Sequence, residues 1–99
     1  MINLSEDTKI LLEHLFLEEE RVEISQRLIA ECSENIPFCV NHSPEDMERI
    51  RYSIIKLCKE KNNTWDTWFL LAQQDWRDLF MIAGFAYDPL EHMNWKKRC

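Results

Sequence analysis

The chain has 99 residues, 45% of them hydrophobic, and a formal net charge of −6, which gives enough apolar material for one packed domain and too much for a disordered tail. A single glycine and three prolines leave too few turn residues for a β-sandwich or barrel, so helices remain. The expected architecture is therefore all-α, a compact bundle of five or six short helices forming one domain over residues 1–99.

A domain this small removes only about 60 to 70% of its unfolded surface on folding, so its stability is marginal and a homodimer is a natural expectation. No apolar run approaches the roughly 18 residues that a bilayer requires, and Met1 to Asp7 lacks a basic region followed by an apolar stretch. Neither a membrane nor secretion is expected. Cys32, Cys39, Cys58 and Cys99 then read as reduced thiols in a cytoplasmic protein. Charge divides unevenly: Met1 to Glu48 holds twelve acids against three Lys and Arg, and Arg49 to Cys99 six against nine. The acidic half would repel a phosphate backbone, so nucleic acid is not an expected partner.

Ser5 or Asp7 predicts the cap of a first helix. Leu11, Leu12, Leu15, Phe16, Val22, Ser25, Leu28, Ile29, Cys32 and Ile36 follow at three- and four-residue steps, as one inward face. Glu18-Glu19-Glu20 interrupts that stripe and predicts two helices bending there rather than one rod. Asn35-Ile36-Pro37 is the expected stop, because proline lacks the amide that a helix needs. His42-Ser43-Pro44-Glu45-Asp46 is the clearest start signal: a serine cap, proline at the first helical position and acids in the first turn. The helix from Pro44 to about Lys61 carries Met47, Ile50, Ile54, Leu57 and Cys58 on one stripe and is expected to be central. Asn62-Asn63-Thr64 offers a stop and a new cap before a largely buried helix from Trp65 to Ala72. Asp75 caps another, bearing Trp76, Leu79, Phe80 and Ala83 and ended by Gly84. Asp88-Pro89 repeats the cap-then-proline signature ahead of a last helix ending in Lys96-Lys97-Arg98.

Four constellations bear on chemistry. Cys39 and His42 have the Cys-x2-His spacing of a zinc site, with Cys32 and Cys58 as completing thiolates. Those two stand alone on inward stripes of separate helices, however, which fits buried free thiols better, and no cofactor is expected. His14 and Glu18 lie four apart, as a base and its orienting acid would on one helix face, but no nucleophile sits beside them in sequence, and no catalytic residue is assigned. One glycine excludes a phosphate-binding loop or dinucleotide fingerprint. Trp65, Trp68, Trp76 and Trp95 crowd the carboxyl-terminal half; they fill a small core, or one or two of them, Trp65 and Trp68 in particular, anchor a partner. Glu18, Glu19, Glu20 and Glu23 form a solvated face, or a surface that steers onto a basic partner.

These residues point to a non-catalytic protein-protein interaction or accessory domain, using either the acidic helices or an apolar surface near the tryptophans. One alternative is a small acidic inhibitor of the immunity type, similar to such proteins in size and charge only, which would neutralise a basic partner. Another is a zinc-binding regulatory protein or small enzyme built on Cys39 and His42.

Overall fold

The computed structural model describes residues 1–39, 43–61 and 65–99. Its α-helices run over Glu6–Leu15 (α1), Glu18–Glu31 (α2), Pro44–Glu60 (α3), Trp65–Gln74 (α4), Trp76–Ala83 (α5) and Glu91–Arg98 (α6), with a 3-10 turn at Pro37–Cys39. Among the described residues there is no strand, and the fold is the small all-α bundle that composition predicts. No described helix is long and apolar enough to cross a membrane.

Local chemistry accounts for most of the boundaries. Ser5, rather than Asp7, caps α1, its hydroxyl accepting from the Thr8 amide at 3.1 Å; Asp7 lies in the first turn and pairs with Lys96 of α6 at 3.2 Å. The first segment is two helices, as the glutamate triplet predicts. Phe16 and Leu17 are extended between them, Phe16 turns into the core with its ring edge-on to Trp65 at 6.0 Å, and the three glutamates occupy the first turn of α2, where a helix dipole favours negative charge. Val22, expected to face inward, is 49% exposed, whereas Leu28, Cys32 and Ile36 are buried as the stripe predicts, joined by Ile24, which the stripe omits.

Helix α2 stops at Glu31, well before the expected break at Pro37. Polar side chains end it. Asn35 donates to the Glu31 carbonyl at 2.9 Å and accepts from the Ser33 amide at 3.0 Å, satisfying backbone groups that the next helical turn would have used. The start of α6 is likewise displaced. Asp88 accepts from the Leu90 amide at 2.9 Å and closes a turn around Pro89, and the helix begins at Glu91. Lys96, Lys97 and Arg98 do occupy its last turn.

Ser43 and Pro44 open α3 as their spacing predicts, the Ser43 hydroxyl facing the Asp46 amide at 3.5 Å. This helix touches α1, α4, α5, α6 and the 3-10 turn, and is the central element. The expected stripe of Met47, Ile50, Ile54, Leu57 and Cys58 is buried, but so are Arg51, Tyr52, Ser53 and Ile55, because neighbours enclose α3 on nearly every side. In α4, Trp68, Phe69 and Ala72 are buried. The expected cap at Asn62-Asn63-Thr64 lies outside the described residues. Asp75 caps α5 through the Asp78 amide at 3.2 Å, and Gly84 ends it at φ +84°, a left-handed conformation that glycine adopts without a Cβ penalty.

The most consequential contacts come from three cations of α3. Neither α2 nor α5 has a basic residue in its own last turn, so the carbonyls at their carboxyl ends need donors from elsewhere. Arg51, 2% exposed, supplies them for α2. Its Nε donates to the Cys32 carbonyl at 3.0 Å and its Nη2 to the Leu28 carbonyl at 3.4 Å. The same guanidinium donates to the Asn3 and Ile2 carbonyls at 3.0 and 2.6 Å and to the Ser33 hydroxyl at 3.1 Å. Lys56 donates to the Ala83 carbonyl at the end of α5, and Arg49 Nη2 donates to the Phe85 carbonyl at 2.6 Å in the loop beyond.

Replacing Arg51 with methionine keeps much of the volume but strands several buried carbonyls, each costing about 1 to 3 kcal/mol. Urea unfolding of Arg51→Met is expected to show a loss of about 3 kcal/mol or more. A loss below about 1 kcal/mol would mean that the cation is not a structural donor.

Candidate functional site

The structure distributes the candidate residues unevenly. Glu18, Glu19, Glu20 and Glu23 are all exposed on the first two turns of α2, and among the described residues none has an ion-pair partner. His14 lies in the last turn of α1 and Glu18 begins α2, so the break at Phe16 and Leu17 removes the shared helix face that their spacing supposes. Trp68 lies in the core at 8% exposure, and Trp65 is half-buried against Phe16. Trp68 therefore offers a partner little surface, while Trp65 keeps part of its ring exposed. Cys39 is buried; His42 lies outside the described residues. Among the described residues, no three His, Cys, Asp or Glu side chains gather as metal ligands.

The thiols are enclosed rather than poised for reaction. Burial pushes Cys32 up to about 12, with Arg51 opposing it, Cys39 up to about 11, and Cys58 up to about 12. A thiol so shifted is scarcely ionised at neutral pH, and the thiolate is the nucleophile and metal ligand. Cys99 alone is exposed. A maleimide at neutral pH is expected to label one thiol of the folded chain rapidly and the other three only on unfolding. Mass spectrometry showing two or more fast adducts would contradict this enclosure.

His92 is a further buried titratable group. It lies on α6 between the rings of Tyr52, at 5.5 Å, and Phe85, at 6.3 Å, and its Nδ1 makes no hydrogen bond. Burial lowers its pKa and the Arg49 charge lowers it further, while the Pro89 backbone and Asp88 pull the other way. The unfolded chain therefore binds this proton more readily than the folded one. The stability that the neutral ring contributes is present above about pH 6.5, the ordinary histidine value, and is lost as pH falls through the depressed folded value. Thermal unfolding between pH 7 and pH 5 is expected to show a steeper decline for the native chain than for His92→Gln. Parallel curves would show that His92 is not buried neutral.

Among the described residues, the concavities that reach the size of a ligand site include two of different character. The wider, about 570 Å³, lies between the amino-terminal segment, α1 and α2. Its apolar floor of Leu4, Val22 and Ile29 is ringed by Lys9, Glu13 and Arg21, charges of both signs and no aromatic ring. The second, about 360 Å³, runs along α5 and has a different character. Phe38 of the 3-10 turn packs on Trp76 at 4.7 Å between centroids and edge-on to Phe80 at 5.0 Å, giving a wall of three rings. Met81, 59% exposed, and Tyr87, 92% exposed, form the rim. Its two charged members are arginines. Arg49 lies 4.3 Å over the Phe80 ring, and Arg77 lies 5.0 Å over Trp76.

Among the described residues, neither arginine has an ion-pair partner. Burial lowers the pKa of Arg49, with Asp46 and Asp88 partly offsetting it, and its Nε is buried without a partner. Sequence reasoning favoured Trp65 and Trp68 as anchors and did not single out this face. The available signal was Asp75-Trp76-Arg77, where a helix cap places an aromatic and a cation together in the first turn. No protein-family model matches the chain, and neither the curated proteins nor the solved structures include a significant match.

Proposed function

We propose that the chain is a non-catalytic interaction module that docks a partner protein at the groove along α5. One observation carries this reading: three packed rings, an exposed methionine and tyrosine, and two arginines without carboxylate partners converge on one concavity. Aromatic residues, methionine and arginine are the side chains enriched in protein interfaces, and tryptophan, tyrosine and arginine are those on which binding energy concentrates. The rings are already braced against one another, so docking on them costs little additional ordering. The groups whose ionisation burial perturbs most, the three buried thiols and Tyr52, do not line the groove, which favours binding over catalysis there. Free thiols accord with work in a reducing compartment such as the cytoplasm.

The inhibitor or immunity-type reading keeps one supporting observation, the four exposed and unpaired carboxylates on α2, which would speed capture of a basic partner. A photoreactive amino acid placed at Tyr87 or at Glu19, both exposed, separates the two readings. Crosslinking in cells is expected to yield a defined adduct from position 87, absent from position 19 and reduced by Arg77→Glu. Adducts from position 19 alone, or from neither position, would overturn the groove as the docking site.

A further inference from the structure

We infer that the segment seated in the α5 groove is an acidic one, in which a large apolar side chain enters between Trp76 and Tyr87 while a nearby Asp or Glu carboxylate pairs with Arg77 and Arg49. This rests on the groove being the docking site and specifies the chemistry of its occupant. The argument is one of charge complementarity. Both charged residues lining the groove are cations. Arg77 sits on the exposed side of α5, stacked on Trp76 at 5.0 Å, a geometry that covers one face of the guanidinium and leaves its hydrogen-bonding edge free. Stacked arginine presents that edge as a fork suited to two carboxylate oxygens.

Arg49 is held more tightly, by Phe80 at 4.3 Å, by Phe38 at 5.8 Å and by the Phe85 and Ala86 carbonyls at 2.6 and 3.4 Å. Carbonyl dipoles position it without cancelling its charge. Asp46 and Asp88 act on it at a distance and neither forms an ion pair with it. The groove is therefore an apolar slot with a positive edge inside a chain whose net charge is −6. A basic segment would meet like charge at the slot and leave both arginines unpaired. An acidic one gains two charge-assisted contacts where surrounding rings exclude water. A volume of about 360 Å³ lies at the lower end of the range for ligand sites and suits one or two large side chains rather than a whole domain face.

A random twelve-residue peptide library, displayed with its carboxyl ends fused so that only side-chain carboxylates are present, tests this on the full chain. The expected enrichment is Trp, Phe, Leu or Met with Asp or Glu within four positions. Arg77→Glu, at an exposed position, is expected to weaken a selected peptide about tenfold or more. Changing the peptide's acid to lysine is expected to recover binding to that variant. Enriched peptides that are neutral or basic, yet lose binding on Tyr87→Ser, would overturn the acidic occupant and leave the docking site standing. Peptides indifferent to both Arg77→Glu and Tyr87→Ser would overturn the docking site as well, and a library that returns no motif above a scrambled control would overturn the acidic segment.

Discussion

The fold depends on one helix supplying the cations that its neighbours lack. A helix exposes carbonyls with negative partial charge at its carboxyl end, and a basic residue in the last turn is the usual remedy. Helices α2 and α5 have none. Arg51 and Lys56 of α3 reach across to donate instead, and Arg49 does the same for the loop after α5. These bonds tie the carboxyl ends of α2 and α5, and the loop beyond α5, to the central helix. Arg51 goes further by holding Ile2 and Asn3, so the start of the chain, the end of α2 and the middle of α3 meet on one guanidinium. Arginine suits this role: it presents five donors in a rigid plane and stays charged when buried.

The surface follows from that frame. With α3 enclosed by its neighbours, apolar side chains are left at the surface of several helices, among them Met81 and Ile82 on α5 and Tyr87 beyond it. Arg49 marks the boundary, since its guanidinium donates inward to carbonyls while its plane supports Phe80 and Phe38. The rings of the groove are thus anchored from beneath by the same set of cations that orients the helices. A rigid aromatic surface built on a central helix is a sound platform for recognition, because little freedom remains to be lost on binding.

The sequence discloses the helices more readily than the surface. Ser43-Pro44 and Asp75 mark starts, and Gly84 a stop, through interactions local to the residues themselves, and these hold in the structure. The division at Glu18-Glu19-Glu20 was legible for the same reason. The errors arose where a side chain further along the chain competed: Asn35 ended α2 ahead of Pro37, and the Asp88 turn delayed α6 to Glu91. Val22 lies in the second turn of α2 and faces solvent while Ile24 turns inward, a local difference that the later members of the stripe, Leu28, Cys32 and Ile36, do not share. Arg51 was legible in principle, lying four residues after Met47 and three before Ile54 on the inward side, where a charge has no reason to be unless it has partners. The groove was not. Trp65 and Trp76 both stay partly exposed, and that Trp76 joins Phe38 and Phe80 in a groove depends on how α5 and the 3-10 turn dock, about which spacing along the chain carries no information.

The central claim is that Arg51 is a permanent interior donor and not a surface cation folded back by chance. Hydrogen exchange of the arginine side chains, followed by NMR, measures this directly. The account predicts that the Arg51 Nε proton exchanges as slowly as the most protected backbone amides of α3, while that of Arg77 exchanges at the rate of an arginine in water. Equal and rapid exchange of the two would contradict it.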